Sequence, residues 1–190
     1  SAAALIQDRK VLRYIGKKYI TARREMGFLV PSKGYEYATI KGHKCAIIVG
    51  DDLSRERDFD QSVETVISIN ARKYGKGTMT YRYEMMRNLA FVESKNLVLV
   101  NQVGGSTDIV YDGTSGALNS RGELVLMMKN FEEDFQIFDT KASARPITIP
   151  STYNDRTRLV YEAARCGLRD FFRKNGYRKA SIGLSGGIDI

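Results

Sequence analysis

The stretch "IGLSGGIDI", Ile182 to Ile190, sets a serine, two glycines and an aspartate side by side after a short apolar run. Gly186 and Gly187 reach backbone angles closed to other residues, so consecutive N–H groups can converge on one concavity and hold phosphate oxygens. Ser185 adds a hydroxyl. By themselves, two glycines read more readily as a plain strand-to-helix turn. A second candidate is "KCAIIVGDDL", where an apolar run ends on Gly50, Asp51 and Asp52. Residues at such a strand end are the ones a fold displays. The paired acids suggest either a metal pair or solvated, capping carboxylates. Cys45 and Cys166 are isolated thiols without a CxxC spacing, and His43 is the one histidine. This argues against a structural zinc site and against a disulfide scaffold. The Met-rich "TYRYEMMRNLA" reads as core packing or a partner surface.

The elements that position these residues follow from periodicity. The run ending at Gly50 is a buried strand, and Val63 to Asn70 is a second. Tyr81 to Asn96 places Tyr81, Met85, Leu89 and Val92 at helical spacing, and Leu97 to Gly105 is a third strand, which completes a βαβ pattern. Beyond it, two short strands flank "NSRG", a tight-hairpin sequence. A mixed sheet covered by helices, of α/β class, is expected. Pro146 and Pro150 mark a linker at 142–153. A long helix capped by Asn154 or Asp155 then presents Leu159, Ala163, Cys166 or Gly167, and Phe171 on one face, and ends at Asn175-Gly176. "KASIGL" is expected to be a strand leading into the glycine loop, and the opening "SAAALI" a frayed end.

With 190 residues, 43% hydrophobic and 27% charged, the chain suits one packed domain plus part of another. No segment approaches the ~20 apolar residues of a membrane helix. A net charge of +8 permits nucleic-acid or membrane binding. The cations are dispersed, however, so neither partner is expected. A reducing cytoplasm is the expected compartment.

The loop at Ser185 to Asp189 resembles the S-G-G-x-D-S pyrophosphate motif of ATP-pyrophosphatases. "YEAARCGLRDFFRKNGYRKASIGLSGGID" (Tyr161 to Asp189) is similar to the opening of the synthetase domain of glutamine-dependent NAD+ synthetases. "NQVGGSTDIVYDGTSGALNSRGELV" (Asn101 to Val125) resembles the late strands of their nitrilase-like glutaminase domain. The resemblance implies an incomplete nitrilase-like α-β-β-α sandwich at 1–141, lacking its first strands, a linker at 142–153, and at 154–190 the first helix and strand of a Rossmann-like ATP-pyrophosphatase domain. It implies the family's two half-reactions. A Glu, Lys and Cys triad releases ammonia from glutamine, and ATP with Mg2+ adenylates deamido-NAD+, which ammonia converts to NAD+. It further implies a homo-oligomer, and a glutamine pocket to which Tyr74 to Gly77 contributes unless it is a surface turn.

Carried onto this sequence, the nucleophile falls on position 50, where Gly50 stands, with Asp51, Asp52 and Leu53 matching the residues that follow. Cys45 lies inside the strand as an inert thiol or a relocated nucleophile. The triad lysine falls on Lys18 or Lys17, either of which reads equally as a surface charge. No glutamate precedes Lys17 to serve as the base, and Ile190 stands where the loop motif has its second serine. The ATP-binding set is Ser185, Gly186, Gly187 and Asp189. The reading is an internal portion of a larger synthetase or a degenerate relative. The alternatives are a catalytically inactive nitrilase-like assembly or regulatory module and a stand-alone nitrilase-superfamily amidohydrolase.

Overall fold

The structure is a computed structural model that describes residues 2–20, 26–34, 36–55, 59–141 and 145–188. Strands β1 (Ala2–Gln7) and β2 (Lys10–Gly16) form an antiparallel hairpin that pairs Ala2 with Gly16 and Leu5 with Arg13. The opening segment is therefore a strand rather than a frayed end. Its turn residues, Asp8 and Arg9, both take left-handed conformations (φ 49° and 62°), the backbone that a two-residue hairpin demands, which aspartate tolerates and arginine seldom adopts.

The main sheet begins with β3 (Glu36–Ile40) and β4 (His43–Val49), an antiparallel pair. Next come β5 (Thr65–Asn70), helix α1 (Thr78–Glu93) and β6 (Asn96–Asn101). β4, β5 and β6 run parallel, so β5-α1-β6 is the expected crossover unit. β7 (Val103–Ser106) and β8 (Ile109–Asp112) form a separate antiparallel pair, while β9 (Gly116–Leu118) and β10 (Leu124–Met127) fold about "NSRG" onto β6. The six-stranded order is β10-β9-β6-β5-β4-β3, a mixed sheet. No helix among the described residues is long and apolar enough to cross a membrane.

The core lies between one sheet face and α1. Ala46, Ile48, Val66, Leu97 and Leu99 alternate onto that face and meet Met79, Tyr83, Met86, Leu89 and Ala90. Each fully buried Val, Leu, Ile or Met among them contributes ~1.5–3 kcal/mol, and each Ala about 0.8 kcal/mol. The expected face of α1 is thus corrected by part of a turn: Leu89 is buried, but Tyr81 and Val92 are exposed. The apolar stripe is interrupted by Arg82, which polarity assigns to solvent and which the fold buries.

Helix α2 (Arg156–Asn175) starts where Asp155 accepts a hydrogen bond from the Arg158 N–H and ends at Gly176 in a left-handed cap. Its buried face is Ala163, Cys166 and Asp170, seated on β7 and β8. Leu159 joins this cluster, whereas Phe171, expected on the same face, is half exposed. An aspartate takes the core position because Asp170 Oδ2 accepts the Gly105 N–H at 2.8 Å. The stretch expected to be a linker is pinned near its middle, where the Ile147 N–H donates to Leu124 O at 2.8 Å and Ile149 packs on the core. Residues 142–144 lie outside the described set. "KASIGL" forms no strand: Ile182 and Leu184 are exposed, and no neighbouring strand among the described residues offers them a ladder.

Candidate functional site

The site is built at the carboxyl ends of the parallel strands, the edge where open α/β sheets present their ligands. Val49, Ile69 and Val100 stand in register across β4, β5 and β6. One residue further, Asn70 pairs with Asn101, and β4 has ended before Gly50. Alternation turns positions 46, 48 and 50 to the α1 side. At Gly50 the chain leaves the strand with φ +66° and enters a 3-10 turn, Gly50–Ser54. This sharp elbow projects whatever side chain stands at position 50, and its backbone favours glycine.

Lys17, immediately after β2, is 6% exposed and lies over that position. A Cβ built on Gly50 falls 3.5 Å from Lys17 Cε and 3.7 Å from its Nζ, ordinary contact distances with no clash. Lys18 is turned elsewhere, with its Nζ 5.2 Å from the Tyr19 ring centroid. Of the two candidate lysines, Lys17 is the one brought to the elbow. The tie is Asp52, whose Oδ2 accepts the Lys18 N–H at 2.6 Å and whose Oδ1 accepts the Tyr19 N–H at 2.9 Å. The buried carboxylate therefore clamps the lysine segment to the elbow, as a cap rather than half of a metal pair. The Asp51 side chain lies outside the described set, and no group of three potential metal ligands forms among the described residues.

Cys45 sits five residues back on β4, level with Thr65, and alternation turns it to the face opposite position 50. Burial first, and then the Glu64 charge, push its thiol pKa up, and its Sγ donates to the His43 carbonyl at 3.7 Å. It is an inert strand thiol in this geometry. His43 is bound to Glu64 through Nδ1 at 2.9 Å, away from the elbow.

Behind Asn70 and Asn101 is a polar network that sequence reading missed. Arg82 of α1 makes two hydrogen bonds to Asp112, at 3.1 and 3.0 Å, with both side chains almost wholly buried. Asn101 Nδ2 donates to the same carboxylate at 2.9 Å and to Gly113 O at 3.0 Å, and Asn101 Oδ1 accepts the Arg72 N–H at 2.8 Å. This network holds the strand ends in register. Its one sequence signal is an arginine in phase with the core face of α1.

Of the candidate nucleotide loop, Ser185, Gly186 and Gly187 are exposed. Gly186 has φ +81°, and the Gly187 N–H points to Ser185 Oγ at 3.4 Å. That is a local serine turn, in which the Gly187 amide is turned to the side chain before it. Asp189 lies outside the described residues.

No family model matches the chain. A glutamine-dependent NAD+ synthetase from Acinetobacter baylyi is 27% identical over the whole of this chain and 37% of its own length. The solved structure of the same enzyme from Acinetobacter baumannii, in complex with ADP, superposes on 99% of this chain and 38% of that one, with TM-score 0.80 and 28% identity. The chain is homologous to a segment of the glutamine-dependent NAD+ synthetases. It spans about 37% of the length of that curated relative. A carbon-nitrogen hydrolase from Helicobacter pylori, at 18% identity, TM-score 0.57 and 66% of this chain, shares the nitrilase-like α/β fold.

Proposed function

We propose that this chain is the part of a glutamine-dependent NAD+ synthetase that joins the glutaminase elbow to the start of the ATP-binding domain, divided as residues 1–141, a linker at 142–153, and 154–190. The observation that carries this is the convergence of Lys17 on position 50 at a strand-end elbow, in a chain that superposes on such an enzyme throughout. In the complete synthetase, glutamine hydrolysis would supply ammonia for the ATP-dependent amidation of deamido-NAD+.

The residues present divide that chemistry unequally. The Lys17 ammonium is placed to hydrogen-bond an amide oxygen as it gains negative charge. Gly50 offers no sulfur to attack the amide carbon, so no acyl-enzyme forms and no ammonia leaves by this route. The chain therefore keeps the support for the tetrahedral species without its nucleophile. At the other end, the Ser185 to Gly187 amides would hold pyrophosphate oxygens. The described residues supply no cluster for Mg2+, and Asp189, the acid of this loop, lies outside them; in the complete synthetase Mg2+ would accompany the phosphates. The cytoplasm and a homo-oligomeric state are part of the same reading.

The test is Gly50→Cys treated with 6-diazo-5-oxo-norleucine, a glutamine analogue that alkylates an activated thiolate. Intact-mass and peptide analysis should find the adduct at residue 50, and Lys17→Met in the same background should slow its formation at least tenfold. Labelling at residue 50 no faster than at Cys45 or Cys166 would remove the glutaminase reading.

A further inference from the structure

Helix α2 is seated on β7 and β8 through close main-chain approach rather than side-chain bulk. A Cβ on Gly105 would fall 3.0 Å from Gly167 Cα and 3.3 Å from Gly167 O, and one on Gly167 would fall 3.1 Å from Val110 Cγ2. A seam packed at these distances accepts one register, so α2 has no room to slide along the strand. One turn of the helix then grips both main-chain groups of a single residue: the Gly105 N–H donates to Asp170 Oδ2 at 2.8 Å, and Lys174 Nζ donates to Gly105 O. β7 is an edge of a two-stranded sheet, and these side chains satisfy groups that a third strand would otherwise pair.

Two routes lead from this seat to Asp112. Along the hairpin, Gly105 pairs with Val110 and, two residues back, Val103 pairs with Asp112. Through the following loop, Phe131, buried with Ala163 and Cys166 of α2, donates its N–H to Asp112 O at 2.9 Å. The Asp112 carboxylate in turn holds Arg82 and Asn101. The seat of α2 and the strand-end network therefore share one residue. Of the 20 residues of α2 only Ala163, Cys166 and Asp170 are buried, so the helix opens at lower cost than the core sheet.

We propose that α2 is a two-state latch on the strand-end network. With Asp170 and Lys174 on Gly105, Asp112 is held and its bonds to Arg82 and Asn101 close. With α2 lifted, the hairpin and Phe131 are released together and those bonds loosen. Asp170 and Lys174 are thus positioning residues, acting through Gly105 and Asp112 on the strand ends that carry the elbow. The relay is a property of the fold, and only its effect at position 50 rests on the glutaminase reading.

The test is native-state amide exchange followed by NMR on the whole chain, in the parent, Asp170→Ala and Lys174→Met. Two reporters lie in the network: the Gly113 N–H, bonded to Gln102 O, and the Arg72 N–H, bonded to Asn101 Oδ1. The control is the Glu64 N–H on Lys44 O, at the opposite end of β5. Both variants should speed exchange in α2 and, about tenfold, at Gly113 and Arg72, with Glu64 within about twofold of the parent. Asp170→Asn keeps an acceptor for the Gly105 amide and should recover most of the protection at both reporters. In the Gly50→Cys background, Lys174→Met should slow labelling of residue 50 by 6-diazo-5-oxo-norleucine about threefold. Faster exchange confined to α2 overturns the latch, as does an equal acceleration at Glu64, the mark of general loosening. Unchanged labelling with accelerated reporters overturns its effect at position 50. If residue 50 takes no label in any background, the glutaminase reading fails and the amide reporters still decide the latch.

Discussion

Asp112→Ala is expected to be among the most damaging single changes in the chain. Arg82 is 1% exposed, and its guanidinium makes its two hydrogen bonds to the Asp112 carboxylate. Its Nε has no partner among the described residues. Removing Asp112 leaves an uncompensated charge in the core, a loss of ~3–5 kcal/mol. The Asn101 amide forfeits one bond as well, but Gly113 O and Arg72 O still accept from it, so this adds only ~1 kcal/mol. For a chain of this size the sum, ~4–6 kcal/mol, lowers Tm by roughly 8–24 °C. Replacing both partners, Arg82→Met with Asp112→Leu, removes the charges together and should cost under ~2 kcal/mol, because an apolar pair of similar volume avoids the desolvation that the ion pair must offset. Urea unfolding followed by circular dichroism, on the parent, both single variants and the double, measures the coupling. The reasoning is refuted if Asp112→Ala costs less than ~1 kcal/mol, or if the double variant is as unstable as the two singles summed.

Three further outcomes are expected. Gly104 has φ +109°, and a Cβ there would lie 2.7 Å from Asp170 Oδ2, so Gly104→Ala should destabilise by ~1–3 kcal/mol and raise amide exchange in α2 more than in α1; equal exchange in the two helices would contradict the docking described. At Asp170, burial alone would raise the carboxyl pKa, but the Gly105 N–H and the Arg169 and Arg173 guanidiniums bring it below the ordinary carboxylate value. Its contribution is thus full above the unfolded pKa of ~3.9 and lost as pH falls through the folded one, so acid should loosen α2 in the parent, and an Asp170→Asn variant showing the same acid transition would remove that carboxylate as its cause. Cys45 and Cys166 are buried with raised pKa values, and Ellman's reagent at neutral pH should find no fast thiol until denaturant is added; a fast-reacting thiol in the native chain would reopen Cys45 as a nucleophile.

Sequence alone determined the strand-helix-strand order, the hairpin at "NSRG", the choice of Asn154 or Asp155 as the cap of α2 and the position of Gly50 at a strand end. Each rests on local information: the period of apolar residues, a turn dipeptide, a capping side chain. It also carried the family resemblance. Tertiary structure decided what depends on residues distant in the chain. Lys17 and Lys18 are adjacent and chemically identical, and contacts distant in the chain, the Asp52 carboxylate on the Lys18 and Tyr19 amides and the Ser32 N–H on the Lys17 carbonyl, hold the segment with Lys17 over Gly50. Arg82 and Asp170 violate the polarity pattern, because a buried charge is tolerated only where partners such as Asp112 or the Gly105 amide close on it, and periodicity holds no record of such partners. "KASIGL" has the composition of a strand but forms none, since a strand is completed by the ladder beside it and propensity supplies only half of that pairing.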